Sequence, residues 1–251
     1  MNERRRRIVI VGATSAIAEH CARRWVAAGP VDLVLIGRDL AKTERIAEDL
    51  RVRGPASSIV ARVGDFVDPR AIAALVGELA AAGPIDIALI AHGSLPDQST
   101  CQADPLAADE ALRINAMSPV AFAEAFAGHM ERAGRGRIGI LGSVAGDRGR
   151  KSNYVYGSAK GLVARYAQGL QHRLAATAVR VTMVKPGPTD TPMTAQLKAS
   201  GAKLATVDEV ADAIVRGIDA GKPTVYAPAK WAVIMMVVRH LPAFVFNKMN
   251  I

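Results

Sequence analysis

Three side chains able to take part in proton transfer occur close together in the sequence: Ser143, Tyr156 and Lys160. Tyr156 and Lys160 are four residues apart, so on a helix they share one face about one turn apart and the ammonium can stabilise the phenolate. A tyrosine with the usual pKa of about 10 becomes an acid or base near neutral pH only with such help. The pattern therefore indicates proton transfer at a carbonyl or hydroxyl group. This spacing also occurs by chance on helix surfaces, and Ser143 alone could be a hydroxyl that ends a strand.

The elements that must position these residues alternate between short apolar runs and longer segments of helical period. Strands that are apolar throughout are typical of a parallel sheet buried on both faces. Their alternation with helices predicts an α/β fold of the Rossmann type: a doubly wound parallel sheet of about seven strands with helices on both faces, in a single domain. The predicted strands span residues 8–11, 32–36, 58–63, 85–90, 138–141, 179–184 and 224–226, and a helix is predicted over 207–220.

Composition and charge narrow the possible functions. Half of the 251 residues are hydrophobic, which suits a large buried core and argues against a disordered chain. Cys21 and Cys101 lack the spacing of a metal or redox site, which predicts no metal and a reducing, cytoplasmic location. The net charge of +9 favours anionic partners, but the basic residues are scattered and stacking aromatics are few, so no specific nucleic acid is expected. No run reaches the roughly 18 apolar residues of a membrane span.

A turn suited to a phosphate follows the first apolar run. Gly12 permits a tight turn, and the helix that opens after it offers free N–H groups and a positive dipole end to a pyrophosphate. Alanines at positions 16 and 18 replace the second and third glycines of the usual pattern and narrow the approach of the phosphates. The predicted phosphate-binding residues are Gly12, Thr14, Ser15, Ala16 and Ile17.

Arg38 follows the second predicted strand, where a site selective for NAD has a carboxylate for the ribose hydroxyl. An arginine there suits the 2′-phosphate of NADP, so NADP(H) is favoured over NAD(H). Asp39 is interpreted as the N-cap of the next helix. Asp65, after the third strand, either accepts a hydrogen bond from the adenine amino group or caps its own loop.

In this order the residues resemble the short-chain dehydrogenase/reductase family over nearly the whole chain. The resemblance rests on residues 12–18, Asp65, the loop Ala91-His92-Gly93, Asn115, Ser143, Tyr156 with Lys160, and Pro186-Gly187 followed by Thr189 and Thr191. The family usually has asparagine where Ala91 stands and a small residue where His92 stands. His92 either faces the substrate or has a structural role.

The resemblance implies a mechanism of carbonyl reduction. Hydride would pass from NADPH to a carbonyl carbon while Tyr156 donates its proton to the oxygen and Ser143 holds that oxygen. Lys160 would lower the pKa of Tyr156 and bind the nicotinamide ribose, and Asn115 would interrupt its helix and hold a water for proton return. The residues that the resemblance predicts to bind the cofactor are Gly12, Thr14, Ser15, Ala16, Ile17, Arg38, Asp65, Phe66, Ala91, Gly93, Tyr156, Lys160, Pro186, Gly187, Thr189 and Thr191.

The resemblance thus implies an NADPH-dependent ketoreductase that works as a homodimer or homotetramer. A 3-ketoacyl reductase or an alcohol dehydrogenase could use the same site, because the chemistry is reversible. A dinucleotide-sensing protein without turnover is a further alternative. Within one domain over 1–251, residues 1–142 would mainly bind the dinucleotide, 143–228 would hold catalytic and substrate-binding residues, and 229–251 would form an apolar C-terminal segment.

Two segments bear on the substrate. Residues 188–207 are small and polar where the family carries a mobile lid. Residues 231–246 are apolar on every side, so this segment is expected either to be buried, within the protein or in a subunit contact, or to meet a membrane or a lipid substrate.

The C-terminal half also resembles the decaprenylphosphoryl 2-keto-erythro-pentose reductases, mainly over residues 154–160, 193–198 and 235–251. This implies a small-molecule or lipid-linked keto substrate, such as a polyprenylphosphoryl keto-pentose, and peripheral membrane contact through the C-terminal segment. Arg148, Arg150 and Lys151 would then receive a phosphate, or else lie in a solvated loop.

Overall fold

The computed structural model describes residues 4–249, and one parallel seven-stranded sheet runs through it. The strand order is β3-β2-β1-β4-β5-β6-β7, and every neighbouring pair is parallel. The order reverses between β1 and β4, which places a crevice at the carboxyl ends of these strands. The strands are β1 (Arg6–Val11), β2 (Val31–Gly37), β3 (Ser58–Val63), β4 (Ile87–Ile90), β5 (Gly136–Leu141), β6 (Val179–Pro186) and β7 (Thr224–Ala227).

Helices cover both faces of the sheet, as the sequence predicts. They are α1 (Ala16–Ala28), α2 (Leu40–Arg53), α3 (Pro69–Ala81), α4 (Gln98–Ala103), α5 (Pro105–Leu112), α6 (Ser118–Arg132), α7 (Tyr154–Arg173), α8 (Ala195–Ala199), α9 (Val207–Asp219), α10 (Lys230–His240) and α11 (Ala243–Phe246). A π-helical stretch, Arg113–Met117, joins α5 to α6, and short 3₁₀ helices span Val144–Asp147 and Pro192–Thr194.

Two hydrophobic cores separate the sheet from its helices. Successive residues of a strand point to opposite faces, so Val9 and Val11 of β1 pack with α3, α6 and α7, whereas Ile8 and Ile10 pack with α1, α2 and α9. Cys21 lies in the second core and is fully buried, and this burial raises the pKa of its thiol to about 12. The α/β prediction is confirmed, because the continuous apolar runs are strands covered on both sides.

One of the alternatives predicted for the C-terminal segment is excluded by the structure. Within residues 4–249, α10 buries Met235 only, while Val233 is 62% exposed and Phe244 of α11 is 72% exposed. The expectation of burial within the protein is therefore wrong for this segment. The reason is its place: α10 contacts β7 and the 3₁₀ helix Val144–Asp147 rather than lying along the sheet. No helix within that described range has the length and apolar character to cross a membrane.

Candidate active site

A cavity of about 680 Å³ opens at the carboxyl ends of the central strands. It is lined by the loops that follow β1, β2, β3, β4, β5 and β6, so residues far apart in sequence meet there. The predicted site residues that line it are Gly12, Thr14, Ser15, Ala16, Ile17, Arg38, Phe66, Ala91, Gly93, Ser143, Tyr156, Lys160, Pro186, Gly187, Thr189 and Thr191. Asp65 and Asn115 do not line it.

Ser143, Tyr156 and Lys160 meet in this cavity. Ser143 caps the 3₁₀ helix after β5, where its Oγ accepts a hydrogen bond of 3.1 Å from the Ala145 nitrogen. Tyr156 lies in the first turn of α7, and the Ser143 hydroxyl is near enough to its phenol to lower the pKa slightly. Lys160 follows one turn later, with its Nζ 5.7 Å from the centre of the Tyr156 ring. The helical spacing inferred from the sequence thus brings the three groups to one place.

Burial governs the protonation of Tyr156 and Lys160. It raises the pKa of Tyr156 to about 12, against a smaller opposite effect of the Ser143 hydrogen bond. It also lowers the pKa of Lys160 to about 8. The direction for Tyr156 is opposite to the predicted one, because loss of water around the phenol outweighs the ammonium, whose hydrogen bond goes to the Leu141 carbonyl at 3.2 Å. Tyr156 is therefore a neutral phenol, and hence a proton donor, at neutral pH.

Asn115 supports the site from behind the cavity. It lies in the π-helical stretch, so the predicted interruption of its helix is present. Its Nδ2 donates to the Ala111 carbonyl at 2.9 Å, and its Oδ1 accepts from the Ser94 nitrogen at 2.9 Å. The Asn115 side chain thereby fixes the loop after β4. Ser94, which lines the cavity, belongs to this loop. Its water-holding role stays a prediction.

Close packing explains two of the glycines. A Cβ atom on Gly12 would lie 2.6 Å from the His92 nitrogen, and Gly12 has a φ of +82°, which disfavours any side chain. A Cβ atom on Gly93 would lie 2.8 Å from Asn115 Oδ1 and 3.4 Å from Lys160 Nζ. Glycine at both positions lets the loops after β1 and β4 approach each other and leaves room for the lysine.

The dinucleotide end of the cavity has donors without protein partners. Ser15 is the N-cap of α1, but its side chain makes no capping hydrogen bond, so the N–H groups of the first turn are left for a ligand. Arg38 lines the cavity and forms no hydrogen bond or ion pair with any residue in 4–249. An uncapped helix N-terminus beside a free guanidinium fits a phosphorylated dinucleotide.

The two aspartates near this end accept hydrogen bonds from backbone N–H groups close to them in sequence. Asp39 accepts from the Lys42 nitrogen and caps α2, as predicted. Asp65 accepts from the Val67 nitrogen at 2.6 Å and from the Asp68 nitrogen at 2.9 Å, and these bonds lower its carboxyl pKa. Of the two interpretations of Asp65, the structure therefore favours the loop cap, while Phe66 and Val67 line the cavity beside it.

Two threonines in the loop after β6 form hydrogen bonds with neighbouring residues of the same loop. Thr189 is buried, and its Oγ1 donates to the Gly187 carbonyl at 2.9 Å. Thr191 caps the 3₁₀ helix Pro192–Thr194 with a Thr194 hydroxyl 3.3 Å away. The region predicted as a lid thus begins with a capped turn and continues into α8, where Leu197 lines the cavity.

His92 packs inside the protein although it also reaches the cavity. Its Nε2 is 2.7 Å from the Ser118 hydroxyl, and its ring meets the Phe66 and Phe122 rings edge-on at 4.9 and 5.6 Å. Burial, with the positive charges of Lys160 and Arg38, lowers its pKa to about 3. His92 is therefore a neutral ring with a structural role, which is one of its two predicted interpretations.

A buried ion pair that sequence reasoning missed fixes the segment after Ser143. Lys185 Nζ lies 2.5 Å from Asp147 Oδ1, and the Tyr226 hydroxyl donates to Asp147 Oδ2 at 2.7 Å. These contacts connect the 3₁₀ helix to β6 and β7. The one signal in the sequence is a lysine that interrupts the apolar run of β6.

Arg148 holds the C-terminal helices against the same segment. Its Nη1 donates to the carbonyls of Val238 and Leu241, each at 2.6 Å, and its guanidinium lies 3.7 Å from the centre of the Phe246 ring. Arg148 is thus occupied by the end of α10, and its predicted phosphate contact is wrong. Lys151 is exposed and does not line the cavity.

Trp231, the second residue of α10, packs directly on Gly187 at the end of β6, where its indole fills the space of a side chain. Gly187 is a cavity residue. This contact attaches the C-terminal helix to the cavity wall at Gly187, and Arg148 attaches it to the segment after β5. Sequence reasoning missed both attachments.

Comparison with known proteins gives consistent matches. Residues 6–201 match the family model described as short chain dehydrogenase. An uncharacterized oxidoreductase of Mycobacterium tuberculosis is 35% identical over 243 residues, covering 96% of each chain, and one of Streptomyces coelicolor is 33% identical over 245 residues, covering 97% of this chain and 96% of the relative. A solved short-chain dehydrogenase from Sphingobium yanoikuyae in complex with NADPH has a TM-score of 0.81 at 24% identity and covers 98% of this chain and 96% of its own.

Proposed function

The chain belongs to the short-chain dehydrogenase/reductase family and is an NAD(P)-dependent oxidoreductase, and we propose that it is a ketoreductase that uses NADPH to convert a carbonyl to a secondary alcohol. The observation that carries this proposal is Tyr156, a buried phenol that lines the cavity together with Ser143 and lies one turn from Lys160. With its pKa raised to about 12, the phenol is protonated and ready for reduction.

Ser143, Tyr156 and Lys160 each have one task in this reaction. The bound cofactor supplies hydride to the carbonyl carbon. Tyr156 donates its proton to the carbonyl oxygen, and Ser143 Oγ gives that oxygen a second hydrogen bond. The ammonium of Lys160 opposes the negative charge that proton donation leaves on Tyr156. The N-terminus of α1 holds the diphosphate.

The first test is Tyr156→Phe. General acid catalysis contributes about 10²- to 10⁴-fold, so we expect NADPH-dependent ketone reduction to fall by at least about 100-fold while NADPH still binds. Steady-state rates and NADPH titration by fluorescence measure the two effects. Tyr154→Phe is the matched control, because Tyr154 is exposed and lies outside the cavity. Turnover of Tyr156→Phe at the wild-type rate would refute the mechanism.

Arg38 underlies the proposed preference for NADP(H). A charge-assisted hydrogen bond to the 2′-phosphate contributes about 1.5–3 kcal/mol, so the preference for NADPH over NADH in kcat/KM should fall about 10- to 100-fold in Arg38→Gln. Arg45→Gln is the control, since Arg45 is an exposed arginine of α2 outside the cavity. Equal wild-type efficiency with the two cofactors would contradict this assignment.

The substrate is proposed to carry a lipid or another apolar group, as a polyprenylphosphoryl keto-pentose does. Three apolar side chains support this, since Leu95, Met193 and Leu197 line the cavity and are each more than a third exposed. Next to the cavity, α10 and α11 present an apolar surface that would contact a membrane from the cytoplasmic side. The screen that tests the substrate compares NADPH oxidation with lipid-linked keto-sugars, 3-ketoacyl thioesters and short soluble ketones, and turnover of short ketones alone would reject the lipid.

A dinucleotide sensor without turnover is the alternative from another class. The presence of Ser143, Tyr156 and Lys160 in one cavity argues against it, because a sensor has no use for a proton donor there. A homodimer or homotetramer is proposed for the assembly, and light scattering measures it.

A further inference from the structure

One charged side chain in the cavity has no partner and no task in the reaction above. Arg150 lies in the loop between the 3₁₀ helix Val144–Asp147 and α7, and it lines the cavity together with Tyr156. Its Nε is buried and has no hydrogen-bond partner, and the guanidinium forms no ion pair within the described part of the chain, residues 4–249. The residue as a whole is partly buried. A partly desolvated charge whose buried nitrogen lacks a partner is costly, so a ligand with complementary charge is the natural occupant.

Within residues 4–249, neither the carboxylate in the cavity lining nor the one nearest in sequence is left to neutralise Arg150. The acidic group nearest in sequence, Asp147, is bonded to Lys185 and Tyr226. The acidic residue that lines the cavity, Glu19, is bonded to Arg23. The basic residues lining the cavity are Arg38, Arg150 and Lys160. Positive charge therefore exceeds negative charge in the lining.

Arg150 and Arg38 enter the cavity from different strands, with Arg150 on the side of Ser143 and Tyr156. Arg38 follows β2, whereas Arg150 belongs to the connection after β5, and in the sheet order these strands are three spacings apart, or about 14 Å. A 2′-phosphate held by Arg38 leaves Arg150 unpaired. The anion that Arg150 binds must come from another molecule, and the substrate is the molecule that meets Tyr156.

The loop itself is built to present polar atoms. The Asn153 nitrogen donates to the Arg150 carbonyl at 3.1 Å, which closes a turn directly before α7. Asn153 Oδ1 also lines the cavity region as a buried atom without a partner. The neighbouring Arg148 donates its hydrogen bonds to carbonyls at the end of α10. The turn thus leaves one donor and one acceptor next to the catalytic tyrosine.

We propose that Arg150 binds an anionic group of the substrate, a carboxylate or a phosphate, and so selects ketones that carry such a group near the reacting carbonyl. This inference rests on the ketoreductase function proposed above. It narrows the proposed substrates to ketones that carry an anionic group and assigns their selection to Arg150, because the apolar part of the cavity alone would not distinguish a charged ketone from a neutral one.

The test uses three ketones with the same methyl ketone end: methyl levulinate, levulinate and 4-oxopentyl phosphate. In the wild type, we expect levulinate or 4-oxopentyl phosphate to have the higher kcat/KM. Loss of a charge-assisted hydrogen bond predicts that Arg150→Gln lowers this kcat/KM about 10- to 100-fold more than that for methyl levulinate, chiefly through KM. Arg150→Lys should recover part of it, and Lys151→Gln, a charge change outside the cavity, should alter none of the three.

A second measurement does not depend on turnover. Inorganic phosphate is titrated by calorimetry into the protein saturated with NADPH, and its affinity should fall at least tenfold in Arg150→Gln. Equal phosphate affinity in the wild type and in Arg150→Gln would overturn the anion site. So would an equal fall in kcat/KM for the charged and the neutral ketones in Arg150→Gln. Phosphate binding through Arg150 without reduction of any ketone would reject the ketoreductase and keep the anion site. Preference for levulinate over 4-oxopentyl phosphate, or the reverse, identifies the anion.

Discussion

The ammonium group of Lys160 is buried at a place where the protein gives it few hydrogen bonds and no ion pair within residues 4–249. The side chain is buried, and its hydrogen bond goes to one backbone carbonyl, that of Leu141. Burial lowers its pKa to about 8 from 10.5, so the folded protein binds fewer protons than the unfolded chain between these pH values. The charge therefore costs stability below pH 8, and the cost disappears as pH rises to about 10.5. A structural lysine would not be placed there, which agrees with a catalytic role.

Lys160→Met should stabilise the fold while abolishing ketone reduction. The expected gain in unfolding free energy is about 2 kcal/mol at pH 7, because the methionine removes a buried charge and keeps the apolar stem. Above pH 10.5 the gain should vanish. Urea denaturation at pH 7 and pH 10.5 measures both values. A variant destabilised at pH 7 would mean that the ammonium contributes more to the fold than burial costs.

At the scale of elements, Arg148 joins the loop after β5 to the end of α10. Replacing it with methionine removes two hydrogen bonds to carbonyls and the contact with Phe246. Because bonds to a charged group contribute about 1.5–3 kcal/mol, Arg148→Met should speed amide exchange in α10 and α11 at least tenfold, with slower turnover. Hydrogen exchange with mass spectrometry measures this. Arg165→Met, on the exposed face of α7, is the control, and unchanged exchange in Arg148→Met would exclude the anchoring role.

The sequence predicted the strands correctly but did not predict which residues attach the C-terminal helices to the rest of the protein. The apolar runs identified the strands because a central parallel strand is buried on both faces, and the spacing of Tyr156 and Lys160 placed them on one helix face. Arg148 and Trp231 could not be placed, because their partners lie about 90 and 44 residues away in sequence. The burial of Arg150 and the local bonds of Asp65 depend on loop conformation, which the residue types alone do not determine. The apolar composition of α10 does not reveal where on the sheet the helix lies.

The whole molecule combines a net charge of +9 with one exposed apolar surface. On α10 and α11, Val233, Met236, Val237 and Phe244 are each more than half exposed. The exposed cations Lys230, Arg239 and Lys248 surround this surface. Apolar side chains flanked by positive charges suit the interface of an anionic bilayer, with a contribution of about 1 kcal/mol for each basic residue near the surface.

Val233→Asp combined with Phe244→Asp should therefore lower binding to phosphatidylglycerol vesicles about tenfold or more, as measured by cosedimentation. Added salt should weaken wild-type binding, because the charges are exposed. Val52→Asp is the control, since Val52 of α2 is 83% exposed but distant from this surface. If the double variant keeps its vesicle binding but dissociates in light scattering, the surface is a subunit contact and the membrane proposal is wrong.

Trp231 packs on Gly187, and Arg148 donates hydrogen bonds to the end of α10. These contacts distinguish the C-terminal helices from the sheet and the helices that cover it. Residues 230–249 add no strand to the sheet, yet they support the cavity wall at Gly187 and the segment after β5. We expect that a different segment grafted behind β7 would change this support, while Tyr156 and the loop after β1 keep their places.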